Sequence, residues 1–80
     1  MGKAEHYKDE NLMTAFGNHV KELRISRDMS IRAFANACDV EHSTIARIES
    51  GQMNPTLSMI FLLAENLDVT IQELMTFKKK

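Results

Sequence analysis

DVEHSTIARIESG, residues 39 to 51, is the stretch that decides the fold. At about 100° per residue, a helix from Glu41 or His42 to Ser50 sets Ile45, Ile48 and Glu49 on one side and Ser43, Ala46, Arg47 and Ser50 on the other. The first side packs and the second is free. Gly51 ends the helix, because glycine tolerates the left-handed conformation past a helix terminus. Two features ask for a reason: an outer face of short residues around one arginine, and a glutamate among the apolar positions.

Working outward, Leu12, Phe16, Val20 and Leu23 recur at the spacing of one buried helical face, which predicts a first helix over about Asp9 to Arg27. A break follows at Asp28. Ser30 can cap a second helix, Ile31 to about Cys38, with Met29 and Phe34 at the spacing of a hydrophobic staple. Asp39 and Val40 leave so short a connection to the third helix that the two must cross steeply. Asn54 and Pro55 mark a loop, Thr56 is a suitable cap, and Leu57, Ile60, Phe61, Ala64 and Leu67 make the stripe of a fourth helix. Thr70 and Glu73 form a capping box, with Val69 and Leu74 at staple spacing, so a fifth helix is expected from Ile71 to about Phe77. No strand-like alternation and no repeat appears, so the chain reads as one all-α domain over residues 9–77. A flexible N-terminal arm, residues 1–8, precedes it and a basic tail, residues 78–80, follows.

Eighty residues allow one domain. A chain this short buries only about 60% of the surface its unfolded form exposes, which argues against a deep catalytic cleft and for a binding module. With 44% hydrophobic and 26% charged residues it lies far from the disordered regime. The net charge of −1 gives no bulk attraction to nucleic acid. Its distribution is more telling, since Lys21, Arg24, Arg27, Arg32 and Arg47 all lie mid-chain, whereas residues 55–77 hold Glu65, Asp68 and Glu73 and no Lys or Arg. An anionic partner is therefore expected to meet the middle. Cys38 is the only cysteine, which fits a reducing, cytoplasmic setting and small core filler. The longest apolar run, Met59 to Ala64, is too short to span a bilayer. His6, His19, His42 and Cys38 show no metal-ligand spacing, and the acidic residues fall on caps, turns and outer faces, so neither a metal nor a catalytic site is expected.

A helix that must lie in the DNA major groove, about 12 Å wide, needs short residues near its centre and a few long donors where base edges come within reach. Ala46 beside Arg47, with His42 and Ser43 at the N-terminal end, meets that demand. Here the sequence resembles a known family, the phage repressor and Cro-type helix-turn-helix domains of the XRE family. The resemblance spans roughly residues 16 to 77 and rests on LRISRDMSIRAFANACDVEHSTIARIESGQMNPTLSMIFLLAENLDVTIQEL. In it, S-x-x-x-F-A, the turn valine, S-T-I-x-R-I-E-x-G, N-P-T-L and L-x-V-T-x-x-E-L occur in order and at the family's spacing.

The resemblance implies a compact five-helix, lambda-repressor-like domain in which helices 2 and 3 are the helix-turn-helix and helix 3 reads base edges. Carried over residue by residue, the base-reading positions fall on His42, Ser43 and Arg47, with Glu41 and Thr44 close enough for sugar or phosphate. Backbone-phosphate positions fall on Ser30, Arg32, Gln52 and Asn54, and Arg27 is basic and near helix 2. Read on its own residues, His42 stays open between reading a base, touching a phosphate and capping its helix. The family also pairs the glutamate at Glu49 with an arginine on helix 1, here Arg24. Independently, a carboxylate on an apolar face needs a charged partner, because burying it alone costs more than one hydrogen bond offsets.

Four positions depart from the family's pattern. Asp28 and Asp39 stand where the family often has glycine, and aspartate enters left-handed conformations more readily than most residues. Ile31 replaces a common polar residue, and Glu41 puts a negative charge at the end of helix 3 expected to face DNA.

Met59, Leu62, Leu63, Met75 and Phe77 exceed what one face of helices 4 and 5 can bury, so a homodimer through that end is expected, against a monomer whose fifth helix closes its own core. In a two-fold dimer the two copies of helix 3 would lie about 34 Å apart, matching half-sites one DNA turn apart. The expectation is a dimeric repressor or autoregulator, of phage, restriction-modification or toxin–antitoxin type, that binds a double-stranded DNA operator without cofactor, membrane or small-molecule substrate. The rival is a protein-interaction module that keeps the fold without binding DNA.

Overall fold

Four of the five helix starts are set by a side chain that accepts from the first turn. The computed structural model describes residues 8–78, and the helices are α1 (Glu10–Ser26), α2 (Ile31–Cys38), α3 (His42–Glu49), α4 (Leu57–Leu67) and α5 (Ile71–Leu74). Asp9 accepts from the Leu12 N–H at 3.0 Å, Ser30 from Ala33 at 3.0 Å and Thr56 from Met59 at 3.1 Å. Thr70 and Glu73 close the expected capping box, at 3.0 Å and 2.8 Å. α3 is the exception, since Glu41 precedes it without a side-chain cap.

The ends of α1 to α4 follow one rule. Asp28, Asp39, Gly51 and Asp68 take left-handed backbone, with φ of 58°, 57°, 79° and 56°. After each, the next N–H reaches back to a carbonyl of the finished helix: Met29 to Arg24 (3.2 Å), Val40 to Ala35 (3.0 Å), Gln52 to Arg47 (2.9 Å) and Val69 to Ala64 (3.1 Å). This left-handed closure satisfies carbonyls that the helix cannot. Met29, Val40 and Val69 also pack against the core, so each aspartate ends one helix and aims the next residue inward. Left-handed backbone strains any residue with a Cβ, and an aspartate adds unfavourable charge at a helix C-terminus. Asp39→Gly is therefore expected to stabilise the domain by about 1 kcal/mol, read as a higher urea midpoint. A lower midpoint would mean that the aspartate side chain holds the turn in a way its backbone does not.

The core gathers Phe16 and Val20 of α1, Phe34, Ala35 and Cys38 of α2, Ile45 and Ile48 of α3, Leu63, Ala64 and Leu67 of α4, and Leu74 of α5. Burial pushes the Cys38 thiol up to about 11, so it packs as a small apolar group.

Several expectations are corrected. α4 turns Leu63, Ala64 and Leu67 inward with Ile60 half-buried, while Leu57 and Phe61 are 71% and 54% exposed. The helix is apolar almost all round, so periodicity could not fix which side faces in. Leu63, expected at a dimer interface, is fully buried in the protein's own core. On α1 the inner face is Met13, Phe16, Gly17, Val20 and Arg24, whereas Leu12 lies at the rim. α5 stops at Leu74 rather than Phe77. Beyond it, Phe77 folds back against the rings of Phe16 and His19, at centroid distances of 5.8 and 5.6 Å, and the His19 Nε2–H donates to the Glu73 carbonyl at 3.0 Å. Phe77 thus closes the protein's own core. Residues 1–7 of the expected arm and residues 79–80 of the tail lie outside the described residues.

Candidate nucleic-acid interface

α3 is held from behind by one ion pair and one close backbone approach. Arg24 reaches across from α1, its Nε donating to Glu49 Oε2 at 2.7 Å and its Nη2 to Glu49 Oε1 at 3.0 Å. Its Nη1 donates to the Met29 carbonyl at 2.7 Å, just ahead of the Ser30 cap of α2. One side chain therefore ties α1 to α3 and to the entry of α2. Arg24 is 7% exposed and Glu49 is 6% exposed, and the fork geometry leaves no buried side-chain polar atom unpaired among the described residues. The expected structural ion pair is present.

The close approach is at Gly17. A Cβ there would lie 2.2 Å from the Ile48 carbonyl oxygen and 2.7 Å from that of Glu49, so α1 can cross α3 only because residue 17 has no side chain. Gly51 makes the second contact, where a Cβ would stand 2.9 Å from the Thr14 Cα. Neither contact was anticipated from the sequence, although a glycine within the apolar stripe of a helix is the usual sign of such an approach.

With Ile45, Ile48 and Glu49 directed inward, His42, Ser43, Arg47 and Ser50 are exposed and Thr44 and Ala46 half-buried. Among the described residues, the side chains of His42, Ser43 and Arg47 make no hydrogen bond or ion pair with the rest of the chain, so His42 does not cap its own helix. Ser30, Arg32, Glu41, Gln52 and Asn54 are also exposed, the first two at the start of α2 and the last two after α3. Arg27 is a correction. Its Nε donates to the Leu67 carbonyl and its Nη2 to the Asp68 carbonyl at 3.2 Å, so the guanidinium is committed to the C-terminal end of α4 rather than free for phosphate.

Of the other residues expected at a dimer contact, Met59 and Leu62 are half-buried and Met75 is 44% exposed. The larger apolar exposure is at Leu57 and Phe61, one turn apart on α4, beside a small groove that Leu12, Pro55, Ile60 and Met75 help to line.

Residues 20–74 match a family model described as Helix-turn-helix (HTH_3). The chain belongs to that helix-turn-helix family. It is 33% identical to the restriction-modification controller protein C.AhdI of Aeromonas hydrophila, with a TM-score of 0.74 over 79% of this chain and 94% of that one. It is 25% identical to an HTH_3 family transcriptional regulator of Vibrio cholerae, with a TM-score of 0.75 over 82% of this chain and 38% of that one. A candidate HTH-type transcriptional regulatory protein of Methanococcoides burtonii is 34% identical over 55 residues, 69% of this chain, and the match spans 17% of that longer protein. The XRE-type resemblance and the all-α five-helix architecture therefore stand. This helix-turn-helix domain is of the DNA-binding, transcription-regulator class. Among the described residues, no helix is long and apolar enough to cross a membrane.

Proposed function

We propose that the protein regulates transcription by binding a specific, roughly palindromic DNA operator as a homodimer, as a repressor or autoregulator, in the cytoplasm and without catalysis or cofactor. The observation that carries this reading is the outer side of α3, which offers Arg47, Ser43 and His42 unpaired while its inner side is fixed by the Arg24–Glu49 pair. A side chain with free donors on a rigidly seated helix suits base-edge reading, because little is lost in ordering it. Arg47 is assigned to a base, Ser43 and His42 to the neighbouring edges, and Ser30, Arg32, Thr44, Gln52 and Asn54 to sugar and phosphate on either side of the groove. Glu41 opposes non-specific attraction and can accept from a cytosine N4 amine. Similarity to a restriction-modification controller over nearly its whole length favours an autoregulator of that kind. The exposed Leu57 and Phe61 with Met75 supply the apolar surface for the second subunit.

Arg47→Ala is expected to cost about 1–3 kcal/mol in binding and to relax specificity at one base pair. Competition between the operator and single-base variants, scored for wild type and variant, measures this. Equal loss on every sequence would move Arg47 to a phosphate. The net charge of −1 and the exposed apolar side of α4 support a second reading, a protein-binding module. A salt titration separates the two, since several phosphate contacts make affinity fall steeply with salt and a protein-only partner does not.

A further inference from the structure

Of the five cations expected to meet an anionic partner, two are held internally, Arg24 by Glu49 and the Met29 carbonyl, and Arg27 by the end of α4. Three remain: Arg32, Arg47 and Lys21. The first two already have places in the proposed interface. Lys21 has none, yet it lies against the same surface. An open groove of about 300 Å³ runs between α1 and α3, lined by Asn18 and Lys21 of α1, Ile31 at the start of α2, and Ala46, Glu49 and Ser50 at the α3 side. Its cause is Gly17, which lets α1 press against the Ile48 and Glu49 carbonyls and so carries the next residues on α1 alongside the recognition helix.

An α-helix with its side chains is about 10–12 Å across and the major groove about 12 Å wide, so a helix seated there fills it from wall to wall. Whatever lines the flank of that helix meets the wall, and the wall is sugar and phosphate. From this we infer that Lys21, with Asn18 beside it, is a DNA-phosphate contact made by α1, a site added to the helix-turn-helix contacts. The inference rests on the reading of α3 given under the proposed function. Lys21 supplies the charge: among the described residues its ammonium has no ion-pair partner. Asn18 is exposed, and its side-chain amide is not engaged with the rest of the chain. Glu49, the one carboxylate lining the groove, is already neutralised by Arg24, so it does not repel the anion with a full charge. The Ser50 hydroxyl donates to the Arg47 carbonyl at 3.2 Å and leaves only its lone pairs to the groove, so it is not a phosphate donor.

The test uses the full chain with two duplexes of equal length, one recovered by selection from a random pool and one scrambled, each titrated over a range of salt. Lys21→Ala is expected to weaken binding by a similar factor on both and to lower the slope of log affinity against log salt by about 1.8 for the dimer–DNA complex, about 0.9 for the one phosphate contact of each subunit. Lys21→Arg is expected to restore the slope. Asn18→Ala is expected to weaken both duplexes with the slope intact, since it removes no charge. An unchanged slope for Lys21→Ala, or loss confined to the selected duplex, would overturn the assignment. Absence of wild-type binding to any duplex would overturn the DNA reading itself and this inference with it. Because Lys21 is exposed and unpaired, thermal melting of its variants is expected to match wild type, which separates lost contact from lost fold.

Discussion

Glu49→Ala is expected to destabilise the domain by roughly 3–5 kcal/mol, a large part of the 5–15 kcal/mol available to a small fold. The loss does not come from the pair's own attraction, which desolvation largely offsets. It comes from stranding Arg24, which would keep only its bond to the Met29 carbonyl and remain buried with an uncompensated charge. Removing both partners tests that cause. Arg24→Met with Glu49→Leu is expected to recover most of the stability, because apolar groups of similar volume can replace a buried pair at little cost. Urea midpoints of the single and double variants decide it. A single variant within about 0.5 kcal/mol of wild type would mean that Arg24 escapes to solvent and that the pair is incidental to the fold.

Gly17→Ala reverses the usual sign of a substitution. In the middle of a free helix, alanine is favoured over glycine by about 1 kcal/mol. Here the added carbon would sit 2.2 Å from the Ile48 carbonyl oxygen, which is backbone and cannot swing aside as a side chain could. α1 and α3 must separate, and overpacking of this kind costs about 1–3 kcal/mol or more. With the overpacking at the top of that range and alanine's helical preference set against it, the expected net effect is a loss of about 2 kcal/mol, read by denaturation. Since the same crossing sets the pose of α3, operator affinity is expected to fall in any fraction that still folds. A variant as stable as wild type would show that the two helices do not touch at this position.

These two residues were legible to different degrees. Glu49 declared itself, because a carboxylate on the isoleucine side of a short helix has no low-energy state without a cation, and the family resemblance pointed to Arg24 on α1. Gly17 did not, since nothing in a single stretch of sequence shows which other backbone will come close. The helix boundaries other than the end of α5 were legible for a local reason: caps and left-handed stops act within a few residues, as Ser30, Thr56, the Thr70–Glu73 box and Gly51 show. The repeated Asp-Met-Ser, Asp-Val-Glu and Asp-Val-Thr steps at residues 28, 39 and 68 encode the same turn. α4 was misread because LSMIFLLAENL is apolar on most sides, so the choice between Phe61 and Leu63 as the buried residue falls to tertiary packing. Arg27 was misassigned for a related reason. Charge and sequence position suggest a free cation, but its partners are carbonyls some forty residues away, at the end of another helix.

In the proposed function the outer side of α3 meets the edges of base pairs, and a heteronuclear NMR titration of the labelled chain with the duplex recovered from a random pool reads that contact residue by residue. The expected result is that amide shifts concentrate at residues 42–47 and at the start of α2, with Leu57 and Phe61 unmoved by DNA. Shifts confined to the Leu57–Phe61 side of α4, or no shift anywhere with any duplex, would contradict it.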